Sequence, residues 1–290
     1  MREKRFKPWL FLLPSVVFLV SVTIYPFIFT VVASFTDWYL PEGRRFFVGF
    51  ANYLNLFKDP WFWSSMRITF YFTFVCLFFE HFLGFVLSLL LSFVGRIGKI
   101  LILLFMVPMM LPPIVAALIW KLMYRPLGVL NWVLGFFGVP SLNWVMDSKQ
   151  VLPSIIITDV WEWTPFVALI LFAGINSIPR DLFEAVDIDG GDTWAKVRYL
   201  VLPLLKPLFV ISLLLRFIFV FTTFDIIAGL SRGGPGHASM TLYFYAYLKS
   251  FEWLRMGEGA ALNIFVFAIT MGVGMVLLNK ILKGGAELYD

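Results

Sequence analysis

Residues Ile178 to Pro207, IPRDLFEAVDIDGGDTWAKVRYLVLPLLKP, form a long polar passage in a chain that consists mainly of apolar runs. Apolar residues recur in its first part at the spacing of one helix face, behind Ser177 as the expected N-cap and Pro179 in the first turn. Gly190 and Gly191 follow, and glycine accepts the left-handed backbone that ends many helices. The passage therefore predicts a short amphipathic helix that stops at the two glycines.

A second helical segment is predicted from Thr193 to Leu200, directly after the glycines. Proline has no N–H, and its ring clashes with the preceding turn of a helix. We therefore expect this segment to end or kink before Pro203 and Pro207. The passage is thus predicted to project from its surroundings as two short helical pieces joined by a turn.

The composition of the chain identifies its class. It is 60% hydrophobic, 19% aromatic and only 14% charged over 290 residues, with a mean hydropathy of +0.87. A soluble domain of this length does not have such a composition, so the chain is predicted to be an integral membrane protein. The single cysteine, Cys76, excludes an intrachain disulfide and a cysteine-based metal cluster, and the two histidines leave few ligands for any other metal site.

Six apolar runs are long enough to cross about 30 Å of hydrocarbon at roughly 20 residues per helix. They are predicted near residues 8–35, 68–93, 100–123, 152–176, 207–230 and 260–282. The expected fold is all-α and membrane-integral, with a segment 1–7 before a single six-span domain over 8–290 and a polar loop at 177–206. The first run is too long for the apolar core of a signal peptide and is taken as retained. Pro108, Pro112 and Pro113 predict a kink in the third span.

The distribution of basic residues predicts the orientation. With the N-terminus inside, the cytoplasmic segments hold twelve basic residues in about 55, whereas the opposite side holds ten in about 95. The twelve are Arg2, Lys4, Arg5, Lys7, Arg96, Lys99, Arg180, Lys196, Arg198, Lys206, Lys280 and Lys283. Both termini and the polar loop are therefore predicted to be cytoplasmic. This asymmetry accounts for the net charge of +5, so no nucleic-acid partner is expected.

Several short motifs carry a resemblance to a known family. Glu184-Ala185-Val186, Asp189-Gly190 and Leu202-Pro203 resemble the EAA motif of the membrane permease subunits of ABC importers, although Val186 and Gly191 stand where the motif usually has alanine. Three further stretches resemble signatures of the sugar permeases of that superfamily: Phe47 to Pro60 (FVGFANYLNLFKDP), Phe224-Asp225 and Gly233-Gly234-Pro235. Four motifs in the right order resemble the carbohydrate-uptake permeases, of the maltose and glycerol-phosphate type, with a MetI-like core.

The resemblance implies a set of partners. It implies that the helix of the polar loop docks into a groove on a cytoplasmic ATPase dimer, through Leu182, Phe183, Glu184, Ala185, Val186, Asp189, Gly190 and Gly191. It also implies a second six-span permease, and an extracytoplasmic solute-binding protein that faces Gly233, Gly234 and Pro235. An ordinary surface helix capping the bundle is the alternative. The chain lacks the GxxxxGK[ST] motif and any catalytic set, so ATP and Mg are expected on the partner ATPase and no enzyme activity or cofactor is expected here.

Polar residues inside the spans are the candidates for contacts with the transported compound. Asp159 and Glu162 lie on one helix face, and two central carboxylates cost roughly 5 to 7 kcal/mol to insert, so this helix needs partners or an aqueous cavity. Arg216 offers a pairing partner for one of them, and a purely structural pair is as plausible as a ligand role. The family resemblance adds positions near Trp163 and Val220. The candidate substrate residues are Asp159, Glu162, Trp163, Arg216, Val220, Thr222, Thr223 and Asp225.

Two residues of the second span leave an alternative function open. Glu80 and His81 favour a helix–helix hydrogen bond over a proton relay. A proton-coupled secondary transporter would use both, together with Asp159 and Glu162, but it usually needs more spans and internal repeats. The preferred prediction is a permease subunit for a membrane-delivered carbohydrate in a prokaryotic cell membrane. Carboxylates and tryptophan suit a neutral sugar, and Arg216 leaves an acidic sugar or a glycerol phosphate open.

Overall fold

The computed structural model describes residues 9–286, with side chains from residue 11 to residue 280. The predicted segment 1–7, with its four basic residues, and Lys283 lie outside the described part. Five helical stretches within it are long and apolar enough to cross a membrane: Phe11–Ser34, Pro60–Phe93, Val151–Ser177, Thr193–Phe221 and Met256–Lys280. The all-α membrane class is confirmed, while only five of the six predicted spans are single helical stretches.

The elements follow one another along the chain with short connections. The α-helices are α1 (Trp9–Leu19), α2 (Tyr25–Ser34), α3 (Ala51–Lys58), α4 (Pro60–Phe93), α5 (Arg96–Phe105), α6 (Pro113–Met123), α7 (Val129–Phe136), α8 (Val151–Ser177), α9 (Arg180–Ile188), α10 (Thr193–Ala195), α11 (Leu202–Phe221), α12 (Asp225–Leu230), α13 (Leu242–Tyr247) and α14 (Met256–Ala286). The strands are β1 (Thr36–Tyr39) and β2 (Arg44–Phe47). Turns of π-helix cover Val20–Ile24, Lys196–Val201 and Leu248–Glu252, and turns of 3-10 helix cover Leu40–Glu42 and Pro108–Met110.

The third predicted span, 100–123, is wrong as a continuous helix. It consists of α5, the 3-10 turn Pro108–Met110 and α6. The backbone of Leu111 and Pro112 is extended, with ψ of 142° and 134°. Each of these residues precedes a proline, which disfavours helical backbone, so the expected kink is a complete break.

The fifth predicted span, 207–230, is displaced along the chain. The helical stretch begins at Thr193 and ends at Phe221, so Pro203 and Pro207 do not end it. The π-helical turn Lys196–Val201 comes directly before Pro203. We attribute the continuity to this wider turn, which moves the backbone carbonyl that the proline ring would otherwise meet. The break comes later, between Phe221 and the start of α12 at Asp225.

One compact unit comprises the chain up to Phe62 together with Tyr245–Phe267. Its strands β1 and β2 form an antiparallel hairpin, with Thr36 opposite Phe47. The buried Asn52 amide donates to the backbone oxygens of Ser34 and Thr36 at 2.9 Å each, and the hydroxyls of Tyr53 and Ser34 lie 2.7 Å apart. The asparagine and tyrosine of the sequence motif therefore fasten α3 to the end of α2 and the start of the hairpin.

A charged network also belongs to this unit. Asp59 accepts a hydrogen bond from the Tyr245 hydroxyl, and its carboxylate lies 3.4 Å from the Lys249 ammonium. Lys249 donates to Glu258 at 2.6 Å, and Arg255 donates to the same carboxylate at 2.9 Å. Partial burial raises the pKa of Asp59, but the bonds from Tyr245 and the Trp61 N–H and the charge of Lys249 outweigh it, so the pKa lies below its ordinary value.

The second compact unit comprises Trp63–Phe244 and the chain from Ala268 onward. Its central helix is α8, since 61% of its apolar window is buried, compared with 28% for α4 and 33% for the stretch that includes α11. One core cluster holds Leu91, Ile102, Ala168 and Phe172, and a second holds Ile175, Ile178, Val201 and Leu205. These clusters join α8 to α4, α5 and α11, the helices that carry the polar residues described next.

Candidate functional site

A buried ion cluster connects α4, α8 and α11. The Arg216 guanidinium donates from Nε to Glu80 Oε2 at 2.7 Å and from Nη2 to Glu80 Oε1 at 2.6 Å. The same Nη2 donates to Asp159 Oδ2 at 3.0 Å. None of the three side chains is more than 1% exposed. The predicted pair between Arg216 and a carboxylate of α8 is confirmed for Asp159.

The stronger partner of Arg216 was missed. Glu80 receives the paired donors of the guanidinium, the geometry in which arginine binds carboxylates best. Glu80 was expected only to form some helix–helix hydrogen bond, because its helical register relative to α11 cannot be read from either apolar run. Its position inside a long apolar stretch was the available signal, since such a charge requires a partner.

His81 also contacts α11. Its Nε2 lies 3.2 Å from Ser212 Oγ, and its Nδ1 lies 2.8 Å from the Leu77 backbone oxygen. The predicted helix–helix hydrogen bond is therefore confirmed. Ser212 and Arg216 are one helical turn apart, so two consecutive residues of α4 join the same face of α11.

A cavity of about 360 Å³ opens beside the ion cluster, within the second unit. Its lining includes five of the predicted substrate residues: Trp163, Arg216, Thr222, Thr223 and Asp225. It also includes five residues that were not predicted: Pro113, Phe219, Phe224, Ile226 and Tyr243. Phe224 belongs to the Phe-Asp motif and could have been named from it, whereas nothing in the local sequence singles out Tyr243.

The cavity combines an aromatic wall with polar groups. The Arg216 Cζ lies 4.6 Å from the centroid of the Trp163 ring, and that ring stacks on Phe219 at 6.1 Å. The break in helix between Phe221 and Asp225 puts two threonines and an aspartate at the lining. Such a lining offers hydrogen-bonding groups beside flat apolar faces.

Three other predicted substrate residues do not line this cavity. Asp159 is buried and bonded to Arg216, and Val220 is buried at 1% exposure. Glu162 is fully buried, and neither carboxylate oxygen has a hydrogen-bond partner among the described residues. Direct contact of these three with a ligand stays a prediction that this structure does not support by exposure.

The predicted amphipathic helix is α9. Ser177 is not its N-cap, because α8 continues through Ser177, whose hydroxyl donates to the Gly174 oxygen at 2.7 Å. Pro179 occupies the cap position instead, without a side-chain hydrogen bond. Gly190 has φ of +77°, and the Gly191 N–H donates to the Val186 oxygen at 2.8 Å. The predicted glycine stop is confirmed.

Only part of the apolar face of α9 projects from the molecule. Leu182 and Ile188 are 42% and 86% exposed. Phe183 is half-buried and packs on the cluster of Ile175, Ile178, Val201 and Leu205, and Val186 is half-buried as well. The expectation that Phe183 and Val186 project with Leu182 is therefore wrong, because the ends of α8 and α11 offer them an apolar surface.

The remaining coupling residues lie on the exposed side. Glu184, Ala185, Asp189 and Gly190 are exposed, and Gly191 is half-buried. Asp187 forms an ion pair with Lys196 at 2.6 Å. This pair and Phe183 hold α9 against the start of the next helical stretch, while Glu184 and Leu182 remain accessible.

Gly233, Gly234 and Pro235 form the predicted tight turn. The Gly233 N–H donates to Ser231 Oγ at 3.2 Å, and Ser239 Oγ donates to the Gly234 oxygen at 2.7 Å. Gly233 has φ of +79° and is buried beside Phe244. The turn is confirmed, and its contact with a binding protein stays a prediction.

Residues 81–289 match the family described as binding-protein-dependent transport system inner membrane component. The chain belongs to this family. As an inner membrane component of this kind it is a multi-pass membrane permease and not an enzyme, so the resemblance to ABC importer permeases is confirmed. Family membership also decides against the proton-coupled secondary transporter.

Curated relatives of this inner membrane component include permeases named for sugars. It is 36% identical over 245 residues to the trehalose/maltose transport system permease protein MalF of Thermococcus litoralis, covering 83% of this chain and 81% of that protein. It is 34% identical to the sulfoquinovosyl glycerol transport system permease protein SmoG of Agrobacterium fabrum, covering 94% of this chain and 89% of that one.

A solved structure shares the fold of this inner membrane component. The match is to a bacterial ABC transporter involved in the import of the acidic polysaccharide alginate, with a TM-score of 0.83 at 20% identity, covering 95% of this chain and 94% of that chain. The predicted permease core is therefore confirmed.

Proposed function

We propose that this chain is one of two permease subunits of an ABC importer and forms half of the translocation pathway for a carbohydrate. The 360 Å³ cavity carries the proposal, because Trp163, Thr222, Thr223 and Asp225 meet there. Sugars bind to proteins through hydroxyl hydrogen bonds and through contact of their C–H faces with aromatic rings, and this lining offers both. The sugar-permease relatives support the same substrate class.

The charges around the cavity favour a neutral carbohydrate. Arg216 was the residue that left an acidic sugar open, and its guanidinium is already bonded to Glu80 and Asp159. With both carboxylates ionised, this cluster carries a formal charge of −1, and Asp225 on the cavity wall adds to it. An anionic ligand would meet repulsion rather than a free cation.

The partners follow from the same proposal. A cytoplasmic ATPase dimer, which binds ATP and Mg, docks on α9 through Leu182 and Glu184. A second six-span permease completes the pathway, and an extracytoplasmic solute-binding protein delivers the sugar at the turn of Gly233 to Pro235. Both termini and α9 are cytoplasmic, in the membrane of a prokaryotic cell.

The packing of α9 provides a route from the ATPase to the cavity. Phe183 contacts Leu205 near the start of α11, and Arg216 lies on the same helix eleven residues later, about 16 Å along its axis. A rigid helix transmits a displacement over this length. The ion cluster would pass the movement to α4 and α8, which hold the two carboxylates.

Uptake by the reconstituted importer tests the proposal. The complex with its ATPase and binding protein is placed in proteoliposomes and offered neutral disaccharides and oligosaccharides, with glycerol phosphate and a uronic-acid oligosaccharide as anionic competitors. Trp163→Ala and Asp225→Ala should each reduce uptake at least tenfold, whereas Trp132→Ala, which changes an exposed tryptophan outside the cavity, should not. Unchanged uptake in both cavity variants would remove the cavity from the pathway.

A further inference from the structure

A second cavity, of about 560 Å³, lies at the end of the second unit that carries α9. Four basic side chains from three separate elements line it: Arg96 and Lys99 on α5, Arg180 at the start of α9, and Lys196 in the π-helical turn. Glu184 is the one acidic residue in this lining. The wall therefore has an excess of positive charge.

Most of this charge is not neutralised within the described chain. Lys196 pairs with Asp187 at 2.6 Å. Arg96, Lys99 and Arg180 form no ion pair or side-chain hydrogen bond among the described residues. Side chains of one sign that converge on a cavity repel one another and attract an anion, so the site has the electrostatics of an anion-binding pocket.

The rest of the lining is apolar. Leu89, Phe93, Ile175 and Val201 contribute to it. The surface next to it is apolar too, because Phe93, Ile97 and Ile100 are 64%, 58% and 64% exposed. Ile97 and Ile100 flank Arg96 and Lys99 on α5, so charged and apolar groups alternate along one short helix. A small inorganic anion would use only the charged half of this surface.

We propose that this cavity binds an anionic phospholipid, with the phosphate group against Arg96, Lys99 and Arg180 and an acyl chain along Phe93, Ile97 and Ile100. Basic pockets between membrane helices are the sites that select such headgroups. Since Arg180 and Glu184 belong to α9, the lipid would hold this helix in place from the membrane side. The proposal concerns a lipid rather than the transported compound, so its failure leaves the proposed function intact.

Binding of defined lipids to the purified full-length protein tests this proposal. Native mass spectrometry counts bound dioctanoyl phosphatidylglycerol and dioctanoyl phosphatidylcholine at equal concentrations, and thermal unfolding is measured with each lipid and with inorganic phosphate. We expect phosphatidylglycerol to bind more tightly and to raise the unfolding temperature, and the other two to have little effect. Equal binding of the two lipids, or an equal shift by inorganic phosphate, would overturn the proposal.

Charge-removing variants locate the site. Lys99→Gln and Arg180→Gln should each weaken phosphatidylglycerol binding about fivefold. Lys206→Gln and Arg198→Gln remove the same charge from exposed residues outside this cavity and should leave binding unchanged. If the cavity variants release the ATPase while phosphatidylglycerol binding stays intact, the occupant is a protein side chain and the lipid proposal is wrong.

Discussion

Arg216 on α11 donates two hydrogen bonds to Glu80 on α4, at 2.7 and 2.6 Å, and both side chains are fully buried. The third bond, to Asp159, brings in α8. Three helices are therefore joined at one point, directly beside the 360 Å³ cavity. Whatever moves α11 has to carry or break this cluster, which makes it a mechanical as well as an electrostatic feature.

Glu80→Ala should destabilise the protein strongly. It leaves the guanidinium with one carboxylate in a buried setting, and breaking a buried pair costs about 3–5 kcal/mol. Thermal unfolding of the purified protein measures the loss. Glu42→Ala is the matched control, because it breaks an exposed pair with Arg44 and should cost less than about 1 kcal/mol. Equal effects of the two changes would mean that the cluster contributes nothing special.

Glu184→Lys should release the ATPase while the chain still inserts into the membrane. The glutamate is exposed on α9, so its replacement disturbs a docking surface and leaves the fold alone. Copurification of the ATPase with the tagged permease is the measurement, with sugar uptake as a second readout. Glu42→Lys makes the same charge change away from α9 and should retain the ATPase. Normal uptake by Glu184→Lys would refute docking through this residue.

Phe183→Ala and Leu182→Ala should have opposite effects. Phe183 packs on the ends of α8 and α11, so its truncation should lower stability by about 1–3 kcal/mol and reduce uptake while the ATPase stays bound. Leu182 is 42% exposed, so its truncation should weaken ATPase binding with little change in stability. Unfolding and copurification, measured side by side, separate the two; identical behaviour would contradict the division of the helix into an inner and an outer face.

Gly190→Ala should cost about 1 kcal/mol through backbone strain alone. Gly190 has φ of +77°, and a Cβ added there would meet no atom within 4 Å. Gly135→Ala is the control, since that position has equal space and no positive φ, and it should be neutral or slightly stabilising. The unfolding temperatures of both variants decide. A neutral Gly190→Ala would show that the turn after α9 tolerates another conformation.

Asp59 should make stability depend on pH in the acidic range. Its pKa is lower in the folded protein than in the unfolded chain, so its contribution is present above the unfolded value of about 3.9 and is lost as the pH falls through the folded pKa. Asp59→Asn should lower stability at pH 7 and flatten this part of the profile. Asp181→Asn, which changes an exposed acid on α9, should leave the profile as it is. A profile that keeps its slope in Asp59→Asn would assign it to other carboxylates.

Much of the candidate site was predictable because its signals are local. Trp163, Thr222, Thr223 and Asp225 were chosen as polar or aromatic residues near span ends, and the break before Asp225 brings them to one cavity. The stop at Gly190 follows from its own backbone requirement. Pro112 and Pro113 signalled a disturbance in the third span, although a kink and a full break look alike in a list of prolines.

The sequence by itself determined the class, the long apolar helices, the amphipathic helix α9 and the motifs that mark the family, because each depends on residues close together in the chain. Only the tertiary structure decided that Arg216 binds Glu80, 136 positions away, and that Phe183 turns inward while Leu182 stays outside. The physical reason is that hydrophobic periodicity defines which face of a helix is apolar but not the rotation and axial shift at which two apolar helices pack. Those two quantities decide which buried charges meet.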